Sequence, residues 1–138
     1  IIPNNFNDKL KKIINEINFD FDIIFIGGCN IYGKKIKENF IKPIYSKKQY
    51  KNKYNLCCHA MLVKPDNVKN ILNVLNPLER TIDTQLREHI DNLNIYYLNP
   101  SLIYQNREIP SDLQSINLQS NNNKANNYKS INNITIID

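Results

Sequence analysis

A chain of 138 residues has room for one domain with a real core and excludes two full-sized ones. Its three cysteines, Cys29, Cys57 and Cys58, are sparse and odd in number, with two of them adjacent, which argues against a disulfide framework and a zinc site. The sequence leaves the localisation unknown, with cysteine usage favouring a cytoplasmic or virus-associated protein over a secreted one. The formal charge of +5 is modest for this length, and no apolar run is long enough to predict a membrane span.

Phe6, Leu10, Ile13, Ile14 and Ile17 recur at helical spacing, with Lys9, Lys11, Lys12 and Glu16 on other faces. This predicts a surface helix over Asn7–Ile17 with Asn7 as its N-cap. Asn18–Asp20 read as a turn, and Asp22 leads into IIFIG, a β-branched run of the central-strand kind that Gly27 and Gly28 end. A helix, a turn, a buried strand and glycines at its carboxyl end are the ingredients of an open α/β sheet, whose ligands lie beyond the carboxyl ends of the strands. The glycine pair is too short for a dinucleotide fingerprint, and no phosphate-loop pattern occurs.

From Ile31 to Asn55 the pattern loses its period and becomes basic and aromatic. Lys34, Lys35, Lys37, Lys42, Lys47, Lys48, Lys51 and Lys53 stand against the single acid Glu38, interleaved with Tyr32, Tyr45, Tyr50 and Tyr54. The stretch reads as a long solvated loop with a short hairpin, or as a mobile flap whose lysines meet a phosphate-bearing ligand. A nucleic-acid binder using these lysines, with the tyrosines stacking on bases, is a further reading that the small overall charge disfavours.

The stretch from Leu56 to Leu86 organises the rest. The apolar run Cys57–Val63, interrupted only by His59, predicts a strand covered on both faces. Pro65 opens a helix whose apolar face is Val68, Ile71, Leu72 and Leu75 and which Asn76 and Pro77 close. Asp83 then begins a second helix with Leu86, Ile90 and Leu93 on its buried face, which puts the Asp83 carboxylate at a helix N-terminus. Asn94–Leu98 reads as another strand, Asn99–Pro100 as a turn, and Leu102–Gln105 as a short extended piece followed by polar residues through Ser111 and Asp112. The expected organisation is an α/β domain over residues 1–116 and an Asn-rich flexible tail over 117–138, whose terminal TIID can add an edge strand or contact a neighbour.

Taken in order, FDFDIIFIGG, the basic and aromatic loop, CCHAMLVKPDNVKNIL, TIDTQL, IYYLNPSLIYQ and SDLQS resemble glycosyltransferase family 25, which includes lipooligosaccharide-synthesis enzymes and collagen galactosyltransferases. The resemblance implies a GT-A-like fold with a single Rossmann-like sheet, a UDP-sugar donor, and a divalent metal such as manganese. It implies inverting transfer of a hexose, galactose or glucose, to a hydroxyl of a glycan or of a hydroxylysine-type protein acceptor. The family's acidic cluster, which holds the metal and the donor diphosphate, comes just before the helix matched here by Asn7–Ile17. Metal ligands are therefore expected upstream of this sequence, and none is assigned within it.

Asp83 matches the family's aliphatic-Asp element opening a helix, with Thr81 where proline is common. An inverting transfer needs a base for the attacking hydroxyl, which a carboxylate can supply; helix capping is the other reading of Asp83 and is compatible with it. His59 matches a family position on the strand before the helix, and reads either as a donor contact or as a hydrogen-bonded core histidine. Gln105, Ser111 and Asp112 match the closing element and either border the cleft or form a polar turn. The expected donor-binding set is thus His59, Gln105, Asp112, Lys34 and Lys35, with Arg80 and Arg87 as phosphate contacts or ordinary surface arginines. The alternative to an enzyme is a non-catalytic binding module that keeps the sheet without the acidic cluster.

Overall fold

The computed structural model describes residues 2–29, 31–44, 56–104 and 135–137. Its elements are α1 (Phe6–Glu16), β1 (Ile23–Cys29), β2 (Tyr32–Lys37), β3 (Phe40–Pro43), β4 (Leu56–Val63), α2 (Val68–Leu75), α3 (Ile82–Glu88), β5 (Ile95–Leu98) and β6 (Thr135–Ile137). The strands form one six-stranded sheet in the order β4-β1-β5-β3-β2-β6. β1 runs parallel to β5 and β2 parallel to β6, while the other neighbours are antiparallel. The expected α/β class is thus met by a mixed sheet with helices on both faces.

Alternation along β1 divides the core between those faces. Ile23 and Phe25 join Ile71, Leu86, Ile90 and Leu93 beneath α2 and α3. Ile24 and Ile26 join Phe40, Tyr96 and Leu98 beneath α1, whose Phe6, Leu10 and Ile13 close that side together with Ile17. β5 is buried along its whole length, which explains why IYYL has no polar residue.

Several details depart from the sequence expectations. The N-cap of α1 is Asn5 rather than Asn7, and Ile14 is 49% exposed because it lies off the stripe that meets the sheet. β1 does not stop at the glycines but continues through them to Cys29. β4 is an edge strand, so Met61 and Val63 stay partly exposed instead of being covered on both faces. A 3-10 turn at Pro65–Asn67 delays the second helix to Val68. Its core stripe becomes Ile71, Val74 and Leu75, leaving Leu72 57% exposed and Val68 exposed as well. The face of α3 and the turn after it is as expected, with Leu86, Ile90 and Leu93 all buried.

The first part of the expected loop is a β2–β3 hairpin with a tight turn at Glu38 and Asn39. One of its lysines has a structural duty: the Lys37 ammonium donates to the Glu16 carbonyl at 2.5 Å and to Asn18 Oδ1 at 3.0 Å. A cation there satisfies an orphan carbonyl at the C-terminus of α1. The remaining lysines and tyrosines of that stretch, Lys47 to Tyr54 with Tyr45, lie outside the described residues. So do Gln105, Ser111, Asp112 and the tail up to residue 134. The end of the tail does supply an edge strand, β6. Among the described residues no helix is long and apolar enough to cross a membrane.

Asp22, only 3% exposed, fastens the amino end of the sheet. Its carboxylate accepts the Asn94 backbone N–H at 2.6 Å and the Asn70 side-chain amide at 3.3 Å. Its own N–H donates to the Asn94 carbonyl, and its carbonyl accepts the Lys64 N–H. Removing the carboxylate leaves the partly buried Asn94 N–H unsatisfied, so Asp22→Ala is expected to destabilise the chain by about 1–3 kcal/mol, with Asp22→Asn losing less. Urea unfolding followed by circular dichroism measures this, and a loss below that of an average surface substitution would contradict the assigned role.

Candidate functional site at the carboxyl ends of β1 and β5

The pairing of β1 with β4 becomes irregular where β1 reaches its glycines. Phe25 faces Met61 and Gly27 faces Ala60, so Ile26 is an extra residue on β1; Cys29 then faces Leu56, so Cys57–His59 lie opposite Gly28 alone. Irregularities of this kind break the strict up-down alternation and re-aim side chains. His59 is the side chain affected: its Nε2 lies 3.4 Å from the Ile103 carbonyl oxygen. With the proton on Nε2 the imidazole donates to that carbonyl, and Nδ1 is then the acceptor nitrogen. The ring remains exposed.

Ile103 reaches this position because the chain turns back after β5. The N–H groups of Leu102 and Ile103 both donate to the Ile26 carbonyl, at 2.8 and 3.1 Å. Gly27 sits between the two partners. A β-carbon there would lie 2.6 Å from His59 Nε2 and 2.8 Å from the Ile103 oxygen. None of the glycines has a positive φ, so it is close approach that requires glycine here. Gly28 is likewise covered by the Tyr97 ring, which stacks on Phe25 at 4.8 Å.

Asp83 lies on the helical excursion between β4 and β5. β4 finishes opposite the start of β1, where Lys64 is bonded to Asp22, and α2 leaves from there. β5 begins at that same end, with Asn94 bonded to Asp22, so the excursion through α2 and α3 leaves and returns at the amino end of β1. Asp83 is in the first turn of α3, half-buried, with Oδ1 accepting the Thr84 N–H at 2.8 Å; the N-cap position itself belongs to Thr81.

The residue that fixes this turn is one that sequence reasoning passed over. Gln85 is 6% exposed, and its amide makes four bonds. Oε1 accepts the N–H groups of Glu79 and Arg80 at 3.0 and 3.4 Å, while Nε2 donates to the carbonyls of Val74 and Pro77 at 2.8 and 2.9 Å. The available signal was a glutamine beside Leu86 on the core-facing side of a short helix, which must find partners if it is buried.

Other expected contacts are dispersed. Lys34 and Lys35 are exposed on β2, across β4-β1-β5-β3-β2 from His59. Four strand spacings separate them by about 19 Å, so the structure does not bring these lysines and the histidine around one small group. Arg80 pairs with Glu88 at 2.8 Å, and Arg87 is buried rather than a surface arginine. Among the described residues no group of three or more His, Cys, Asp or Glu side chains could hold a metal ion.

Perturbed acid–base groups lie nearer the amino end. The hydrogen bond from Lys64, 2.5 Å long, holds the Asp20 carboxyl below its ordinary value and the Lys64 ammonium above its own. Burial raises the Tyr96 phenol, with Asp20 and Asp22 adding to it. Comparison of the chain with protein-family models, curated proteins and solved structures finds no match in any of the three.

Gly27→Ala is expected to push the His59 ring off the Ile103 carbonyl and to cost about 1–3 kcal/mol through overpacking. The His59 imidazole resonances report this directly, and an unchanged ring environment would refute the close packing at Gly27. Gln85→Leu, which strands the N–H groups of Glu79 and Arg80, is expected to cost about 2 kcal/mol and to speed amide exchange across residues 76–81. Protection there equal to that of the unaltered chain would show that Gln85 does not hold the turn.

Proposed function

We propose that this chain is part of a metal-dependent, inverting hexosyltransferase of the GT-A-like kind, moving galactose or glucose from a UDP-sugar to a hydroxyl of a glycan or hydroxylysine-type protein acceptor. The observation that carries the reading is the convergence at one end of the parallel β1–β5 pair. There a glycine pair, the re-aimed His59 and the Ile103 carbonyl meet, and this reading takes the excursion through α2 and α3 to bring Asp83 to that same end. Ligands of open α/β sheets lie beyond that end.

In this reading Asp83 accepts the proton of the acceptor hydroxyl as its oxygen attacks the anomeric carbon from the face opposite the leaving group. The bond from that carbon to the diphosphate oxygen breaks, and UDP departs with the electron pair. His59, with Nδ1 as an acceptor, orients a donor hydroxyl. The described residues do not form a metal cage, so the divalent ion of this proposal has ligands outside them and no step is assigned to it.

A second reading has one observation in its favour. Lys34 faces Lys42 directly across the hairpin, both exposed, and Lys42 Nζ lies 5.9 Å from the centre of the Tyr96 ring. Like charges placed opposite one another suit an anionic partner, including single-stranded nucleic acid.

Calorimetric titration of the chain with UDP-galactose and UDP-glucose, with and without manganese, tests the first reading. Saturable, metal-enhanced binding is expected, together with a turnover loss of about 10²–10⁴-fold in Asp83→Asn at unchanged donor affinity. A folded chain that ignores both sugar nucleotides but binds an oligonucleotide with steep salt dependence would transfer support to the second.

A further inference from the structure

We propose that the outer edge of β2 is a strand-acceptor site for an extended, β-branched segment of another polypeptide that carries a carboxylate next to its last paired residue. The site is seen in use by the chain's own C-terminal strand. β6 lies parallel to β2 with Tyr32 opposite Thr135, Gly33 opposite Ile136 and Lys34 opposite Ile137.

The acceptor side is bonded to the rest of the fold, and the resident strand is short. β2 is fixed on its inner side by β3, by the Lys37 bonds to the end of α1, and by Asn39, which donates to Glu16 at 2.8 Å and accepts the Asn99 N–H. β6, by contrast, pairs with β2 through three residues alone, and each such pair contributes little. Exchange for a strand from another chain therefore conserves the contacts and changes only the tether, whose effective concentration is of order millimolar.

Charge selects the occupant. Past Lys34 the outer edge of β2 continues over Lys35, Ile36 and Lys37, which among the described residues pair with no strand on that side. The next position of an added parallel strand falls beside Lys35, whose side chain is exposed, as is that of Lys34. Glu38 at the hairpin tip is the one acid nearby on that strand's sequence. The chain's own sequence follows Ile137 with Asp138, the same pattern of β-branched residues and then an acid. Strand addition of this kind takes its affinity from main-chain bonds and its selectivity from flanking side chains.

The test uses the full chain carrying Ile136→Pro, which removes a strand N–H from the resident segment, titrated with the synthetic peptide NITIID under NMR observation. Saturable shifts at Tyr32, Gly33 and Lys34 are expected, with affinity about tenfold above that for the unaltered chain, where the tethered strand competes. Replacing the last residue to give NITIIK, or introducing Lys35→Glu, is expected to weaken binding about threefold at low salt. If Ile136→Pro does not fold, Ile136→Gly serves with the same readout. Absence of these shifts in a folded variant overturns the proposal. So do equal affinities with and without the substitution, or shifts confined to β4, the opposite edge.

Discussion

The parallel β1–β5 pair is tied at its amino end by one buried residue, Asp22, whose backbone and carboxylate both bond the segments that lead into it. Parallel neighbours cannot be linked by a tight turn, so the chain between β1 and β5 makes a long excursion through β4, α2 and α3 before it returns. Asp22 closes that excursion at both points where it passes the amino end of the sheet. It takes the Lys64 N–H as β4 gives way to α2, the Asn70 amide on α2, and both backbone groups of Asn94 as β5 begins. The carboxylate takes the Asn94 N–H and the Asn70 side-chain amide, while the Asp22 backbone takes the Lys64 N–H and donates to the Asn94 carbonyl, so one residue ties β1 to the end of β4 and to the start of β5.

The opposite end adds close approach to its hydrogen bonds. At Gly27 and Gly28 the sheet accepts a histidine ring, a carbonyl and a tyrosine ring where any β-carbon would intrude. The two regimes divide the labour: hydrogen bonds at the amino end set the frame, and close approach at the carboxyl end brings backbone and side-chain polar groups to one place without a cap of their own. Gln85 extends the frame to the far end of α2, since its amide joins Val74 and Pro77 to Glu79 and Arg80 and thereby sets where α3, with Asp83 in its first turn, begins.

Hydrophobic period and punctuation made most of the elements legible in the sequence. The IIFIG and IYYL runs and the spacing of Leu86, Ile90 and Leu93 each led to an element with the predicted buried face, and the stripe Phe6, Leu10, Ile13, Ile14 and Ile17 led to a helix that packs on the sheet through all of these but Ile14. What failed did so for local reasons. An apolar run such as Cys57–Val63 does not reveal whether its strand is central or at an edge, because that depends on strand order, a non-local property. Proline at position 65 marked a helix start but not that the first turn would be 3-10, which rotated the core face from Leu72 to Val74. For the candidate site, the glycines, His59 and Asp83 were visible as residue types, whereas the two register shifts that aim His59, and the four bonds of Gln85, are consequences of tertiary pairing.

The lysines show why formal charge is a poor guide to partners. Lys37 is spent on the last carbonyl of α1 and Lys64 on Asp20, so these cations belong to the fold. Lys34, Lys35 and Lys42 sit on the hairpin whose outer strand carries, among the described residues, a three-residue neighbour on its far side. Lysines on an exposed strand discourage edge-to-edge association of identical chains, because each copy would bring its own positive charge to the join. That repulsion turns to attraction for any strand with an acid at the matching position. One set of side chains can therefore keep this edge from pairing with itself and still leave it open to a complementary segment.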